Sequence, residues 1–174
     1  MIAKCNDKFK ISKKKRTKIL EALKIDVCNL HTGKIYQLCP GASFTLCSLS
    51  AEDIDAINIL QASLKAMKNV AMRLSQREND FSGMILIDGN KKFSTNQHTE
   101  AVVKGDSKSI LIGLASIIAK NFRDEKMKQW DQIYPGYFFS QHAGYPTAQH
   151  RSAIAKLGVS PIHRKSFKGV KEYL

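Results

Sequence analysis

Apolar residues along the chain recur in two rhythms, and the switches between them mark out its elements. From Ile11 to Lys24 the spacing predicts a helix, with Ser12 as its N-cap and Ile19, Leu20 and Leu23 as its apolar face. Ile35-Tyr36 and Ser43 to Cys47 have strand-like content and are separated by a Pro40-Gly41 turn. Ser50-Ala51-Glu52-Asp53 reads as a capping box, with Asp53 as a shorter stand-in for glutamate. Ile54, Ile57, Leu60, Leu64, Met67, Ala71 and Leu74 then fall at helical spacing, which predicts a long amphipathic helix packed on a sheet. The run Met84-Ile85-Leu86-Ile87 predicts a buried strand that ends on Asp88, where Gly89 and Asn90 turn the chain away. A second short apolar piece, Ala101-Val102-Val103, runs into Lys104-Gly105-Asp106. From about Ser109 to Trp130 a helix places Leu111, Leu114, Ala115, Ile118 and Phe122 on one face, with Gly113, Ser116 and Ala119 small enough for close packing. Tyr134 to Tyr145 is loop-like and aromatic, with Phe138 and Phe139 expected in a local core. Thr147 to Leu157 reads as a last helix that Gly158 ends, before a turn at Pro161.

Composition narrows the class. A chain of 174 residues, 43% of them hydrophobic, is most economically one folded domain. The formal net charge of +13 attracts polyanions, nucleic acid first and an anionic membrane surface second. No stretch approaches the roughly 18 apolar residues that span a bilayer, and MIAKCNDKFK lacks the apolar core of a signal peptide. A cytoplasmic protein is expected. Cys5, Cys28, Cys39 and Cys47 have neither CxxC spacing nor histidine partners at zinc-finger distances, so they read as reduced thiols.

Chemistry concentrates between Leu86 and Lys126. Asp88 and Asp106 sit at the ends of two adjacent elements, and carboxylates brought together there repel unless a cation lies between them. Magnesium suits such a pair because it accepts one or two carboxylates along with waters and phosphate oxygens. Plain alternatives remain open: Asp88 as turn chemistry before Gly-Asn, and Asp106 as an N-cap. Lys13-Lys14-Lys15-Arg16 opposes the dipole of its own helix, which a bound phosphate would reverse and salt would screen. His142, His150 and His163 lack zincin-like spacing and read as structural. Glu52, Asp53 and Asp55 belong to a capping turn, and Asp124 to a helix-surface pair with Lys128. No function attaches to Asp26 to Leu49.

The blocks IDGN, KGDSK, GLASIIAKNFRDEKM, YPGYFF, QHAGYPTAQH and GVSPIHRKSF, in that order, resemble the bacterial ribonuclease HII family over about Ser50 to Val170. Asn6 to Ser12 is similar to the family's NDSKKLS block, with Phe9 out of place. The resemblance implies an α/β fold, a ribonuclease H-like mixed sheet flanked by helices with a C-terminal helical region. It implies one domain over 1–174: an atypical part at 1–49 with about a dozen extra residues near Asn29 to Pro40, a core at 50–130, and a substrate-contacting region at 131–174. Of the family's four acidic residues, the IDGN acid matches Asp88 and the KGD acid matches Asp106, which makes these two the candidate catalytic residues and metal ligands. The first two, an Asp-Glu pair within a DEAGRG-like motif, match nothing here. The chain is expected to start just after that region, with the first strands missing.

By the same resemblance, the activity is hydrolysis of the RNA strand of RNA/DNA hybrids and cleavage at ribonucleotides embedded in DNA duplexes. The implied mechanism is two-metal phosphoryl transfer with Mn2+ or Mg2+, and the products carry 5′-phosphate and 3′-hydroxyl ends. Tyr145 matches the family tyrosine that packs on the deoxyribose beside the ribonucleotide. Lys13, Lys14, Arg164 and Lys165 are expected phosphate contacts, and the protein is expected to act as a monomer. Two other readings stay open. One is an impaired remnant that binds hybrid or duplex nucleic acid without cutting; the other is a basic module whose sheet a partner chain completes.

Overall fold

The computed structural model describes residues 11–76 and 83–174. The chain divides into two compact units, one made of the described parts of Met1–Ser48 and Ser63–Asn121, the other of Leu49–Ala62 and Phe122–Leu174. The fold is α/β. Cys5 and the block from Asn6 to Lys10 lie outside the described residues, while Cys28, Cys39 and Cys47 are thiols.

In the first unit, α1 spans Lys13–Ala22, and the Ser12 hydroxyl accepts from the Lys15 backbone N–H at 3.4 Å. Of the expected face only Leu20 is buried; Leu23 is exposed because the helix stops before it. Strands β1 (Ile35–Cys39) and β2 (Ala42–Thr45) form an antiparallel hairpin around Pro40-Gly41, with Tyr36 stacked on Phe44. Arg73 donates to the Gly33 carbonyl at 2.7 Å and ties the base of that hairpin to the helix that follows. Strands β3 (Ile85–Asp88) and β4 (Thr99–Val102) pair in parallel, with Asp88 opposite Val102. Burial on β3 falls on Ile87, whereas Met84 and Leu86 are exposed, so this strand is covered on one face.

Helix α2 (Ala51–Ser75) opens with the expected capping box: Asp53 N–H donates to Ser50 Oγ, and Ser50 N–H donates to Asp53 Oδ2. It is not continuous. Asn58 adopts φ 64 and ψ 164, and its Oδ1 accepts from the backbone of Leu60 and Gln61 at 3.0 and 3.1 Å, restarting the helix as an N-cap would. That break resets the helical phase. Ala62 and Ala66 are buried and Leu60 is exposed, which corrects the uninterrupted stripe expected from the sequence.

Helix α4 (Ile110–Ile133) follows a single turn, α3 (Gly105–Lys108). Its early buried side is Ile112, Ser116 and Ala119; Leu111 is 73% exposed and is not on the packed face assigned to it. In the second unit, Tyr137, Phe139, Ala153, Ile154 and Val170 form a core, with Met127, Trp130 and Tyr134 packed against it. Phe139 opens α5 (Phe139–His142) and is buried, but Phe138 has φ 58 and turns outward, so only one of the two expected core phenylalanines is inside. Helix α6 (Ala148–Leu157) is capped by the Thr147 side chain, which accepts from the His150 N–H, and ends at Gly158.

The three histidines of this unit are buried. His163 Nδ1 accepts from the Ser160 N–H, so its proton sits on Nε2 and points at His150 Nε2, 3.0 Å away. His150 therefore carries its proton on Nδ1, which donates to the Tyr145 carbonyl at 3.0 Å. Burial first, and then the His150 ring, push the His163 pKa down to about 4; burial also lowers that of His150.

Candidate active site

The corner where β3 and β4 end is built by backbone fit. Gly89, at φ 116, turns the chain after Asp88, and its N–H donates to the Val102 carbonyl at 3.0 Å. The ladder thus continues one step past the carboxylate. Beyond β4, Lys104 takes a left-handed conformation, φ 57, and swings the next residues back across the strand end. Gly105 N–H then donates to Asp88 Oδ1 at 2.8 Å. A side chain at 105 would be crowded: an added Cβ would lie 3.2 Å from that oxygen and 2.7 Å from Ile112 Cδ1.

Asp106 follows directly, so the peptide that grips Asp88 also places Asp106 at the same corner. Helix α4 closes against it from behind. A Cβ on Gly113 would stand 2.9 Å from the Asp106 carbonyl oxygen, so glycine sets how near the helix approaches. The position capping α4 belongs to Ser109, whose carbonyl accepts from Gly113 N–H at 2.8 Å and whose hydroxyl faces the Ile112 N–H at 3.5 Å. Asp106 is therefore not the N-cap of the long helix. Asp88, likewise, spends an oxygen on a residue 17 positions away rather than on its own turn. Both carboxylates are half-exposed.

Two carboxylates at two element ends fit a hard, water-retaining cation that takes few protein ligands, and not a closed zinc-type cage. Among the described residues no group of three or more His, Cys, Asp and Glu side chains stands together for a metal. Asp88 and Asp106 would be the protein ligands, with remaining positions taken by water and phosphate oxygens.

The other expected contacts sit on separate elements. Lys13 and Lys14 lie on the exposed first turn of α1 in the first unit. Tyr145, Arg164 and Lys165 belong to the second unit. Tyr145 is 60% exposed, while its carbonyl is held by His150 and by the Thr147 N–H at 2.8 Å. Arg164 lies over the Phe167 ring, with its guanidinium carbon 4.3 Å from the centroid. Burial and the charge of Arg123 lower its pKa, and Asp55 opposes them.

Sequence reasoning missed what Asp55 does. Its Oδ2 accepts from Lys165 N–H at 2.6 Å, and its Oδ1 accepts from the Ser166 N–H and hydroxyl. Partial burial raises its pKa, but these bonds outweigh that and hold the carboxyl below its ordinary range. Asp55 is a clamp on the basic tail. The only local signal was an acid placed off the apolar stripe of α2. Arg123 was also passed over, because its partners, Ala143 and Tyr145, come 20 and 22 residues later.

The family model for ribonuclease HII matches residues 4–170. The chain belongs to the ribonuclease HII family. It is 48% identical over 132 residues to the ribonuclease HII of Francisella tularensis subsp. tularensis strain SCHU S4, a match covering 76% of this chain and 68% of that protein. To the ribonuclease HII of Francisella tularensis subsp. novicida strain U112 it is 47% identical over 129 residues, covering 74% and 68%. Membership makes the chain a ribonuclease H-type endoribonuclease, a hydrolase and a nuclease. Among the described residues no helix is long and apolar enough to cross a membrane.

Proposed function

We propose that this ribonuclease HII relative cuts the RNA strand of RNA/DNA hybrids, and single ribonucleotides within DNA duplexes, with Mg2+ or Mn2+ held by Asp88 and Asp106. The observation that carries this reading is the bond from Gly105 N–H to Asp88 Oδ1, which pins the loop bearing Asp106 to the end of β3. The β3–β4 pair is read as part of a ribonuclease H-like mixed sheet. A metal bound at this corner supplies Lewis acidity, lowering the pKa of an attacking water and stabilising the leaving 3′-oxygen. The chain's own part is to fix the two carboxylates by backbone geometry and to present phosphate contacts from Lys13, Lys14, Arg164 and Lys165. Tyr145 offers its ring to a furanose that lacks a 2′-hydroxyl. We further read the chain as one cytoplasmic, monomeric ribonuclease H-like protein in which 131–174 contacts substrate.

A second reading, binding of hybrid or duplex without hydrolysis, is favoured by one feature: the sequence contains no Asp-Glu pair followed by Gly-Arg-Gly. Cleavage of a DNA duplex bearing one ribonucleotide separates the two. The purified chain with Mg2+ or Mn2+ is expected to cut it, and Asp88→Asn to lose about a thousandfold in rate, equivalent to roughly 4 kcal/mol of barrier. The fold should survive, since the new amide oxygen still accepts from Gly105. Binding without cleavage by the unsubstituted chain would establish the second reading and overturn the first.

A further inference from the structure

An exposed aromatic ring is a poor stacking platform unless something holds it, because freezing its rotamer on contact costs affinity. Tyr145 is such a ring. Its backbone is fixed on both sides: its N–H donates to the His142 carbonyl at 2.9 Å, and its carbonyl accepts from Thr147 and His150. Those bonds leave the side-chain torsions unconstrained. The constraint comes from α4. The guanidinium carbon of Arg123 lies 4.9 Å from the Tyr145 ring centroid, Nη1 donates to the phenol oxygen at 3.4 Å, and Nη2 donates to the Ala143 carbonyl at 2.5 Å. Ala143 and Gly144 are both left-handed, φ 49 and φ 75, so the carbonyl that Arg123 grips belongs to the strained turn that delivers Tyr145.

We infer that Arg123 is a positioning residue, clamping the Ala143 turn with one nitrogen while its guanidinium carbon sits over one side of the Tyr145 ring, so that the other side is presented ready-made to a deoxyribose. This rests on the reading of Tyr145 as the sugar contact. The fork is what the arrangement needs: a lysine keeps the charge but has one nitrogen, which cannot reach the phenol oxygen, the Ala143 carbonyl and the ring at once. The Arg123–Tyr145 pair therefore sets preference at an RNA-to-DNA junction, where the neighbouring sugar lacks its 2′-hydroxyl, over a continuous RNA strand, where it does not.

The test is a double-mutant cycle read as a selectivity ratio. Fluorescence anisotropy compares affinity for a DNA duplex bearing one ribonucleotide with affinity for an RNA/DNA hybrid of the same sequence. Tyr145→Ala is expected to reduce the ratio about tenfold, and Arg123→Lys about threefold to fivefold. The double variant should be no worse than Tyr145→Ala alone. Tyr145→Phe, which keeps the stack and loses only the 3.4 Å bond, should stay near the unsubstituted value. Aromatic NMR relaxation of the unliganded protein should show the Tyr145 ring more mobile in Arg123→Lys while other aromatic signals are unmoved. Loss of selectivity in Tyr145→Ala, with Arg123→Lys unchanged or strictly additive, overturns the role given to Arg123. No duplex binding, or no effect of Tyr145→Ala, overturns the reading of Tyr145 itself and the inference with it.

Discussion

The corner that carries Asp88 and Asp106 and the packed centre of the second unit are held by opposite means. At the corner, shape depends on what two glycines lack, and the surroundings are open: Val103, Ile110 and Leu111 are 53%, 89% and 73% exposed. In the second unit, shape depends on what large side chains fill, with Phe139 and Ile154 among the largest fully buried residues and three imidazoles inside the same cluster. The two carboxylates at the corner stay near water, where their charge costs little. Burial lowers the pKa of two of these imidazoles, His150 and His163, which serve as hydrogen-bond connectors. Titratable groups alone therefore do not locate function; the ones most removed from water here hold the fold together.

The comparison is most sharply tested by Phe139→Ala. Removing a fully buried ring should cost about 3–5 kcal/mol, and the expected result is a large drop in the unfolding midpoint. Asp88→Asn should leave that midpoint almost in place. If the aspartate variant unfolds as readily as the phenylalanine one, the corner is a structural element and the contrast fails.

Acid should act on the second unit next. His163 is held neutral in the folded protein with a pKa of about 4, against 6.5 ordinarily, and His150 is shifted in the same direction. Protons then bind the unfolded chain first, so stability is fully present above about pH 7 and falls as pH drops through 6.5 towards 4. His163 alone accounts for about 3 kcal/mol of that loss. Asp55 works in a lower window, below its ordinary 3.8, because its folded pKa is depressed and its contribution disappears only as the carboxylate itself is protonated. Denaturant titrations at several pH values would show the slope, and a flat profile between neutrality and pH 5 would contradict the neutral tautomer chain.

Gly113→Ala probes the corner with a single methyl. Its Cβ would meet the Asp106 carbonyl at 2.9 Å, and the obstacle is backbone. A stability cost of about 1–3 kcal/mol is expected, together with a loss of cleavage larger than that cost explains, because the Asp106 loop must move. Equal scaling of the two would show that helix proximity does not set the carboxylate. The smallest effect should come from Ile110→Ser, at a residue 89% exposed: a change within about 0.5 kcal/mol, measured by thermal unfolding.

Local chemistry was readable in the sequence, and long-range partnership was not. The Ser12 cap, the Ser50–Asp53 box, the Pro40-Gly41 hairpin and the Gly158 stop all announce themselves within a few residues, and each is where the pattern put it. The placing of Asp88 at a strand end and of Asp106 beside the start of the next helix was also legible, from an apolar run that stops at Asp-Gly-Asn and a second that runs into Lys-Gly-Asp. The Asn58 break was hidden because asparagine is tolerated in a helix interior, and the residues beyond it resume the same spacing with a shifted phase. Leu111 was misplaced for a related reason: where apolar residues are dense, as in Ile110-Leu111-Ile112, periodicity cannot say which of them faces in. The Asp55 clamp, the Arg123 stack and the imidazole chain each join residues far apart, and no window of sequence contains them.

The Asp55 clamp also imposes an order on synthesis. Its partners, Lys165 and Ser166, follow it by 110 and 111 residues, and the intervening stretch includes all of Ser63–Asn121, the second segment of the first unit. A translating ribosome adds about 5–20 residues per second, so Asp55 waits roughly 5–20 seconds for the tail that it holds. During that interval Leu49–Ala62 is a piece of the second unit made before its main body, and the Asp55 carboxylate has none of its tail partners. The clamp that joins the two parts of the unit forms only after Lys165 and Ser166 have been made.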